Sequence, residues 1–160
     1  MFKKYIKKNY ILVHLDEKWL DIIDIRYNLY NFLNNLQNYT KKNILVTSYK
    51  NNFPYYLNFK KEFKIKRNKK IILLENLDLF VLERFIKHSF CSISCHSGYI
   101  VQIGASNSTK LIDIINKNDY NWYSCWKPKN TKHFFVFKSI KNKIYLKNIL
   151  TKIISITKNF

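Results

Sequence analysis

Short apolar runs alternate along the chain with longer stretches in which apolar residues recur every three or four positions. The apolar runs predict strands at 10–15, 43–48, 70–75, 90–94, 109–115 and 133–137. The helical spacing predicts helices at 19–39, 76–89 and 141–158, and a short helix is expected to open within 95–104. The polar, basic stretch 49–69, which contains Pro54, and the aromatic stretch 116–132 are predicted to be loops.

This alternation of buried strands and amphipathic helices is typical of βαβ units. It predicts an α/β fold: a single Rossmann-like three-layer domain over residues 1–160, with a mostly parallel sheet of five to six strands and helices on both faces. Ligands of such sheets bind at the carboxyl ends of the strands. The segments that directly follow the strands are therefore where a site is expected, notably 14–19 and 95–104.

Composition supports a folded chain with a core. Of its 160 residues, 47% are hydrophobic and 17% are aromatic, which is too apolar for a disordered protein. No stretch approaches the ~20 apolar residues of a membrane span, and no apolar segment of a secretory signal follows the basic first residues. Three cysteines in a chain of this size argue against a disulfide framework. A cytoplasmic protein is expected, with an optional peripheral place at the inner face of a membrane.

The formal charge of +19 first suggests a nucleic acid or an anionic membrane as partner. The excess is carried by 26 lysines against only 3 arginines, although arginine is what dedicated nucleic-acid readers use for bidentate contacts. Abundant Lys, Asn and Ile are what an AT-rich coding sequence favours, so part of the charge reflects composition. Nucleic acid is therefore not the expected partner. The basic helix 141–158 keeps peripheral contact with an anionic membrane open.

The segment "HLDEKW", residues 14–19, gathers an imidazole, two carboxylates, an ammonium and an indole at a predicted strand end. In the simpler interpretation Asp16 caps the following helix and the turn is solvated. In the functional interpretation Lys18, at the start of the helix, directs its charge at a phosphate. The residues alone leave both interpretations open.

The segment "SCHSGYIVQIGAS", residues 94–106, contains both glycines of the chain. Ser97 offers a hydroxyl, Gly98 a bare amide, and the helix that follows offers its positive end, which together outline a phosphate cradle. The G-x5-G spacing is not the dinucleotide fingerprint. The simpler interpretation makes Gly98 a turn residue with positive φ and Gly104 a site of close helix packing.

The cysteine, histidine and aromatic residues allow other chemistries, each with a simpler structural interpretation. Cysteine and histidine residues occur near one another at 91–96 and 125–133, but their spacing matches no standard zinc site, so no metal is expected. Cys95 beside His96 could be a nucleophile with its base, yet neighbours on a strand point to opposite faces. The aromatic residues of "NWYSCWKP", Trp126 among them, either roof a pocket or pack in the core, and packing is favoured.

The two strand-end segments, in this order, resemble the C-terminal, nucleotide-sugar-binding half of a GT-B glycosyltransferase. The resemblance is closest to glycosyltransferase family 9, the ADP-heptose:lipopolysaccharide heptosyltransferases. "YILVHLDEKW" resembles the family's opening strand with its lysine before Trp, and "HSG" resembles the D-T-G of its D-T-G-x-x-H motif. His96 stands in place of the Asp, and Val101 in place of the His, so the resemblance does not specify the donor.

The resemblance implies inverting, metal-independent glycosyl transfer in which a nucleotide sugar is the substrate and no cofactor takes part. Lys18, Ser97 and Gly98 would bind the donor diphosphate. Further donor contacts are expected from a second set of residues: His14, Asp16, His96, Gln102 and Trp126. The catalytic base is expected on an N-terminal acceptor domain or on a partner chain, so no catalytic residue is assigned. The alternatives are a basic nucleic-acid-binding α/β module and a non-catalytic remnant or interaction domain of the same fold.

Overall fold

Six parallel strands form the centre of the fold. The computed structural model describes residues 9–22, 25–66, 68–107, 109–125, 132–138 and 146–160. The strands are β1 (Tyr10–Leu15), β2 (Asn43–Ser48), β3 (Ile71–Leu74), β4 (Cys91–Ser94), β5 (Leu111–Asn116) and β6 (His133–Lys138). The helices are α1 (Ile25–Thr40), α2 (Pro54–Lys66), α3 (Leu79–His88), α4 (Gly98–Ser106), α5 (Lys117–Ser124) and α6 (Leu146–Lys158), and a 3₁₀ turn occupies Glu17–Asp21.

The strand order is β3-β2-β1-β4-β5-β6, and every neighbouring pair is parallel. The chain therefore builds outward from β1 in one direction, returns to the centre at β4, and builds outward in the other direction. This reversal opens a crevice between the carboxyl ends of β1 and β4, the place where open α/β sheets bind ligands. The predicted α/β class is confirmed, with all strands parallel.

The two faces of the sheet have separate cores because successive strand residues point to opposite sides. On one face Ile11 and Val13 of β1 pack with residues of α1, α2 and α6. On the other face Tyr10 and Leu12 pack with α3 and α4, while α5 covers β6 through Tyr123. The predicted stripe of α6 is confirmed, because Leu146, Ile149, Leu150 and Ile153 are all buried. The predicted segment 141–145 of that helix lies outside the described residues.

Two predicted loops are wrong. Residues 54–66, inside the predicted loop 49–69, form α2, which begins at Pro54 and buries Tyr55, Tyr56 and Phe59. Proline is favoured at the first position of a helix, and these aromatic residues have helical spacing. The sequence therefore contains a helix signal here, although the many lysines make the segment look like a polar loop. Residues 117–124, inside the predicted loop 116–132, form α5.

Aromatic packing explains α5. Tyr120 lies edge-on to Phe135 and Phe137 of the edge strand β6, with ring centroids 5.0 and 5.1 Å apart. Tyr123 is fully buried, whereas Trp122, one position before, is 66% exposed. The favoured packing role is therefore right for Tyr123 and wrong for Trp122, and Trp126 lies outside the described residues.

No helix among the described residues is long and apolar enough to cross a membrane.

Candidate functional site

The carboxyl ends of β1, β2 and β4 surround a cavity of about 530 Å³. Its polar lining comes from His14, Asp16, Glu17 and Lys18 after β1, Thr47 and Ser48 at the end of β2, and Ser97 and Gly98 after β4. An apolar wall of leucine and tyrosine side chains faces them: Tyr49, Leu77, Leu79, Leu82 and Tyr99. We call this cavity, with these lining residues, the cleft. Its volume is within the usual range for small-molecule sites.

The 3₁₀ turn that carries Lys18 is held in place by three hydrogen bonds from different elements. The Trp19 indole Nε1 donates to the His14 carbonyl at 2.8 Å, and the Tyr55 hydroxyl of α2 donates to the Asp16 carbonyl at 2.6 Å. The buried Lys138 of β6 donates through Nζ to the Lys18 carbonyl at 3.2 Å. The backbone under the Lys18 side chain is thus fixed before any ligand arrives, which lowers the entropic cost of binding.

Lys18 joins the two strand-end segments. Its Nζ donates to the carbonyl of His96, 78 residues away, at 2.8 Å. An ammonium has three protons to donate, so this bond leaves capacity for an anion in the cleft. Asp16 caps the 3₁₀ turn, since its Oδ1 accepts from the Lys18 backbone N at 3.1 Å. Asp16 therefore acts as the cap while Lys18 lines the cleft, so the simpler and the functional interpretation of this segment are compatible.

The amino end of α4 points into the cleft without a side-chain cap. Ser97 is the capping residue by position, but its hydroxyl makes no capping hydrogen bond. A Cβ built on Gly98 would meet no atom within 4 Å, so the approach to the helix terminus is open. Free amide groups and the helix dipole make such an end attractive to an anion.

The positive φ of this segment falls on His96 and not on Gly98. His96 has φ 53°, and neither glycine has a positive φ. Histidine is among the residues that tolerate this conformation. The interpretation of Gly98 as a positive-φ turn residue is therefore wrong. That of Gly104 as a close-packing residue is confirmed, because a Cβ there would overlap the side chain of Leu111.

The His96 ring is held on the far side of the segment from Lys18. Its Nδ1 lies 2.7 Å from Oδ2 of Asp113 on β5, and Tyr123 of α5 lies edge-on to it at 4.4 Å between ring centroids. Asp113 is 1% exposed, and His133 Nε2 lies 3.4 Å from the same oxygen. Burial acts to raise the pKa of Asp113, but the two imidazoles outweigh it and lower that pKa below its usual range. Sequence reasoning missed Asp113 because it reads as one polar residue inside an apolar strand.

The pKa values of two titratable groups that line the cleft are shifted in opposite directions. Burial lowers the pKa of His14 to about 4, and its Nδ1 lies 2.9 Å from the Thr47 hydroxyl. Burial raises the pKa of Asp16 to about 6, against the opposing effect of Lys18. Near neutral pH the cleft therefore presents a neutral imidazole, a largely ionised Asp16 and the Lys18 ammonium.

Some of the predicted site residues line the cleft and others do not. Lys18, Ser97, Gly98, His14 and Asp16 all line the cleft. His96 contributes its carbonyl to Lys18, with its ring turned to Asp113, and Gln102 is exposed on α4 and is not among the lining residues. Trp126 lies outside the described residues.

The cysteine alternative has no support in the structure. Cys91 and Cys95 are both fully buried. Burial raises the pKa of Cys91 to about 12 and that of Cys95 well above its ordinary value, so neither thiol is poised as a nucleophile. Among the residues that the structure describes, no group of three His, Cys, Asp or Glu side chains could hold a metal ion.

No protein-family model and no curated protein matches this chain. Solved structures do. UDP-GlcNAc 2-epimerase from Methanocaldococcus jannaschii, in complex with UDP-GlcNAc and UDP, superposes on 99% of the chain with a TM-score of 0.69 at 16% identity. E. coli ADP-heptose lipopolysaccharide heptosyltransferase II superposes on 96% with a TM-score of 0.68 at 9% identity. An E. coli heptosyltransferase with ADP superposes on 96% with a TM-score of 0.63 at 11% identity.

The chain has the fold of one Rossmann-like half of a GT-B protein. It spans 41% of the epimerase and 47% and 45% of the two heptosyltransferases. The expected GT-B resemblance is thus confirmed for the fold, and the neighbours of this GT-B half include sugar-nucleotide epimerases as well as the heptosyltransferases that the sequence suggested.

Proposed function

We propose that this GT-B half binds the nucleoside diphosphate part of a nucleotide sugar in the cleft and serves a glycosyltransferase-like enzyme. The observation that carries the proposal is the meeting of the Lys18 ammonium and the open amino end of α4 at one cavity. Both are fixed positive groups, and they come from the two strands that flank the reversal of strand order. A diphosphate placed between them would receive charge-assisted hydrogen bonds from each side.

The mixed charge of the cleft favours a nucleotide sugar over a polyanion. Asp16 and Glu17 line the same cavity as Lys18, and these carboxylates would repel a nucleic-acid backbone. The same oxygens can accept hydrogen bonds from the hydroxyl groups of ribose or a sugar. The apolar wall that includes Leu79 and Tyr99 offers a surface for a base. A ligand with an anionic centre, hydroxyl groups and an aromatic ring matches all three features.

The neighbours support the same ligand class. Among the structures that share the fold, one holds UDP-GlcNAc and UDP and another holds ADP. For a transferase, Lys18 and the α4 amides would stabilise the diphosphate as it leaves the sugar, which is electrostatic stabilisation without a metal. In its more specific form, the proposed reaction is inverting glycosyl transfer to an acceptor that an N-terminal domain or a partner chain holds.

Calorimetric titration with UDP-, ADP- and GDP-sugars tests the proposal. We expect one class to bind, and Lys18→Ala to weaken it about 10- to 100-fold, since a hydrogen bond to a charged group contributes about 1.5 to 3 kcal/mol. Lys117→Ala is the matched control, because Lys117 is exposed at the same edge of the sheet and does not line the cleft. Absence of binding by every nucleotide sugar, or equal loss in both variants, would contradict the proposal.

A further inference from the structure

The charges of this chain are sorted between the two edges of the sheet. At the carboxyl edge, where strands end and helices begin, acidic and basic side chains are both present, including Asp16, Glu17, Asp21, Glu75, Asp78 and Asp119. At the amino edge, the described strand starts and the last four residues of each described helix contain many lysines and no Asp or Glu. Glu62, one turn before the end of α2, is paired with Lys66 at 2.9 Å. Composition raises the number of lysines everywhere, but it does not explain this separation.

Lysine directly precedes four of the six strands: Lys70 before β3, Lys42 before β2, Lys110 before β5 and Lys132 before β6. Backbone bonds fix three of these positions against the neighbouring strand. The Lys70 carbonyl accepts from Ile44 N at 2.8 Å, and the Lys110 and Lys132 carbonyls accept from Ser92 N and Leu111 N, both at 2.9 Å. With strands about 4.8 Å apart, the row spans about 24 Å.

Helix ends add to this row. Lys41 follows α1, Lys69 follows α2, and Lys87 and Lys158 occupy the last turns of α3 and α6, all four exposed. Lysines in the last turn of a helix complement its dipole, and that role alone explains Lys87 and Lys158. It does not explain the lysines at the strand starts. We call the eight lysines 41, 42, 69, 70, 87, 110, 132 and 158 the basic edge.

Apolar groups lie among these cations. Lys42 Nζ lies 3.9 Å and Lys110 Nζ 4.7 Å from the centre of the Phe90 ring. Tyr39 lines a small cavity together with Lys42 and Lys158, and it is 64% exposed. Ile65, in the last turn of α2, is 80% exposed. A broad cationic surface with a few exposed apolar side chains is typical of proteins that bind the surface of an anionic bilayer.

We propose that the basic edge docks this chain on a bilayer that carries anionic lipid headgroups. Lysines are point charges suited to a diffuse anionic surface, whereas base reading in nucleic acids relies on the fork of arginine. The basic edge and the cleft lie at opposite edges of the sheet, so the docked chain keeps the cleft open to solution. The proposal is independent of what the cleft binds.

Sedimentation with lipid vesicles tests the proposal. The full chain is expected to bind phosphatidylcholine vesicles that contain phosphatidylglycerol and not pure phosphatidylcholine vesicles, with binding that falls as salt rises. The variant Lys41→Gln/Lys70→Gln/Lys132→Gln removes three exposed charges of the basic edge. Since each lysine near an anionic surface contributes about a fivefold effect, binding should fall about 100-fold.

The matched control removes the same charge from elsewhere on the chain. Lys50→Gln/Lys117→Gln/Lys147→Gln changes three exposed lysines near the carboxyl edge that do not line the cleft, and it should keep most of the binding. Equal loss in both triple variants would show that only net charge matters and would overturn the proposal. Absence of binding to anionic vesicles at physiological salt would overturn it as well. Tighter binding of a generic oligonucleotide, lost in the first triple variant alone, would assign the basic edge to nucleic acid instead.

Discussion

The two glycines of the chain provide a matched pair of substitutions with opposite expected effects on stability. Both are in α4, and neither has a positive φ. Alanine in a helix is ordinarily about 0.5 to 1 kcal/mol more favourable than glycine, because glycine loses more backbone freedom on folding. Gly98→Ala should show part of this gain, since its Cβ would meet nothing within 4 Å.

Gly104→Ala should lose stability instead. Its Cβ would overlap the Leu111 side chain, which is 2% exposed and packs against Val101, Ile115 and Tyr123. Overpacking of this kind costs about 1 to 3 kcal/mol, which exceeds the helical gain, so we expect a net loss of about 1 to 2 kcal/mol. Urea denaturation of both variants measures the difference.

A second background isolates the cause. In Leu111→Ala, the overlapping atoms are gone, so adding Gly104→Ala should become neutral or stabilising. If Gly104→Ala is as stable as wild type, or if its cost is the same with and without the Leu111 side chain, the packing explanation is wrong. Gly98→Ala should instead weaken nucleotide binding, because its Cβ enters the cleft; unchanged affinity would argue against the α4 terminus as an anion site.

Three further predictions concern groups around the cleft. The lowered pKa of His14 stabilises the folded wild type above pH 6.5, and this stabilisation is lost as pH falls toward 4. His14→Asn lacks this loss, so its free energy of unfolding should rise relative to wild type by about 3 kcal/mol between pH 7 and pH 4, and parallel pH profiles would refute this. The raised pKa of Asp16 acts in the opposite sense, equally in both proteins. Asp113→Ala should cost about 3 to 5 kcal/mol in urea denaturation, against less than about 1 kcal/mol for Glu62→Ala at an exposed ion pair; similar costs would show that the buried carboxylate is not a structural anchor. Tyr55→Phe should cost about 0.5 to 1.5 kcal/mol, because the Asp16 carbonyl loses the hydroxyl bond and keeps only the 3.3 Å bond from Trp19 N, and an unchanged unfolding midpoint would contradict that.

The strands could be predicted from the sequence because each one stands out as an apolar run. The four central strands are buried on both faces, whereas the edge strands β3 and β6 are largely half-buried. β1 and β2 have the predicted bounds. α2 and α5 were missed because their exposed faces are so polar that composition hid the spacing of Tyr56, Phe59 and Tyr123. A helix that depends on a few aromatic contacts with other elements has little local signal.

The cleft could be predicted only in part. The rule that ligands bind beyond the carboxyl ends of parallel strands was enough to place Lys18 and Gly98 at one edge of the sheet. The contact of Lys18 with the His96 carbonyl and the buried Asp113 under the His96 ring depend on strand order, which the sequence does not display. The separation of charge between the two edges was hidden for the same reason, because its lysines come from strand starts and helix ends spread over the whole chain.

In the proposed complex, Lys18 and the amino end of α4 hold a diphosphate between them. A structure of the chain determined with bound UDP or ADP is the decisive test. We expect phosphate oxygens within hydrogen-bond distance of Lys18 Nζ and of the backbone amides that follow Ser97, with the base against the apolar wall. A nucleotide bound elsewhere on the chain, with the cleft empty, would contradict the claim.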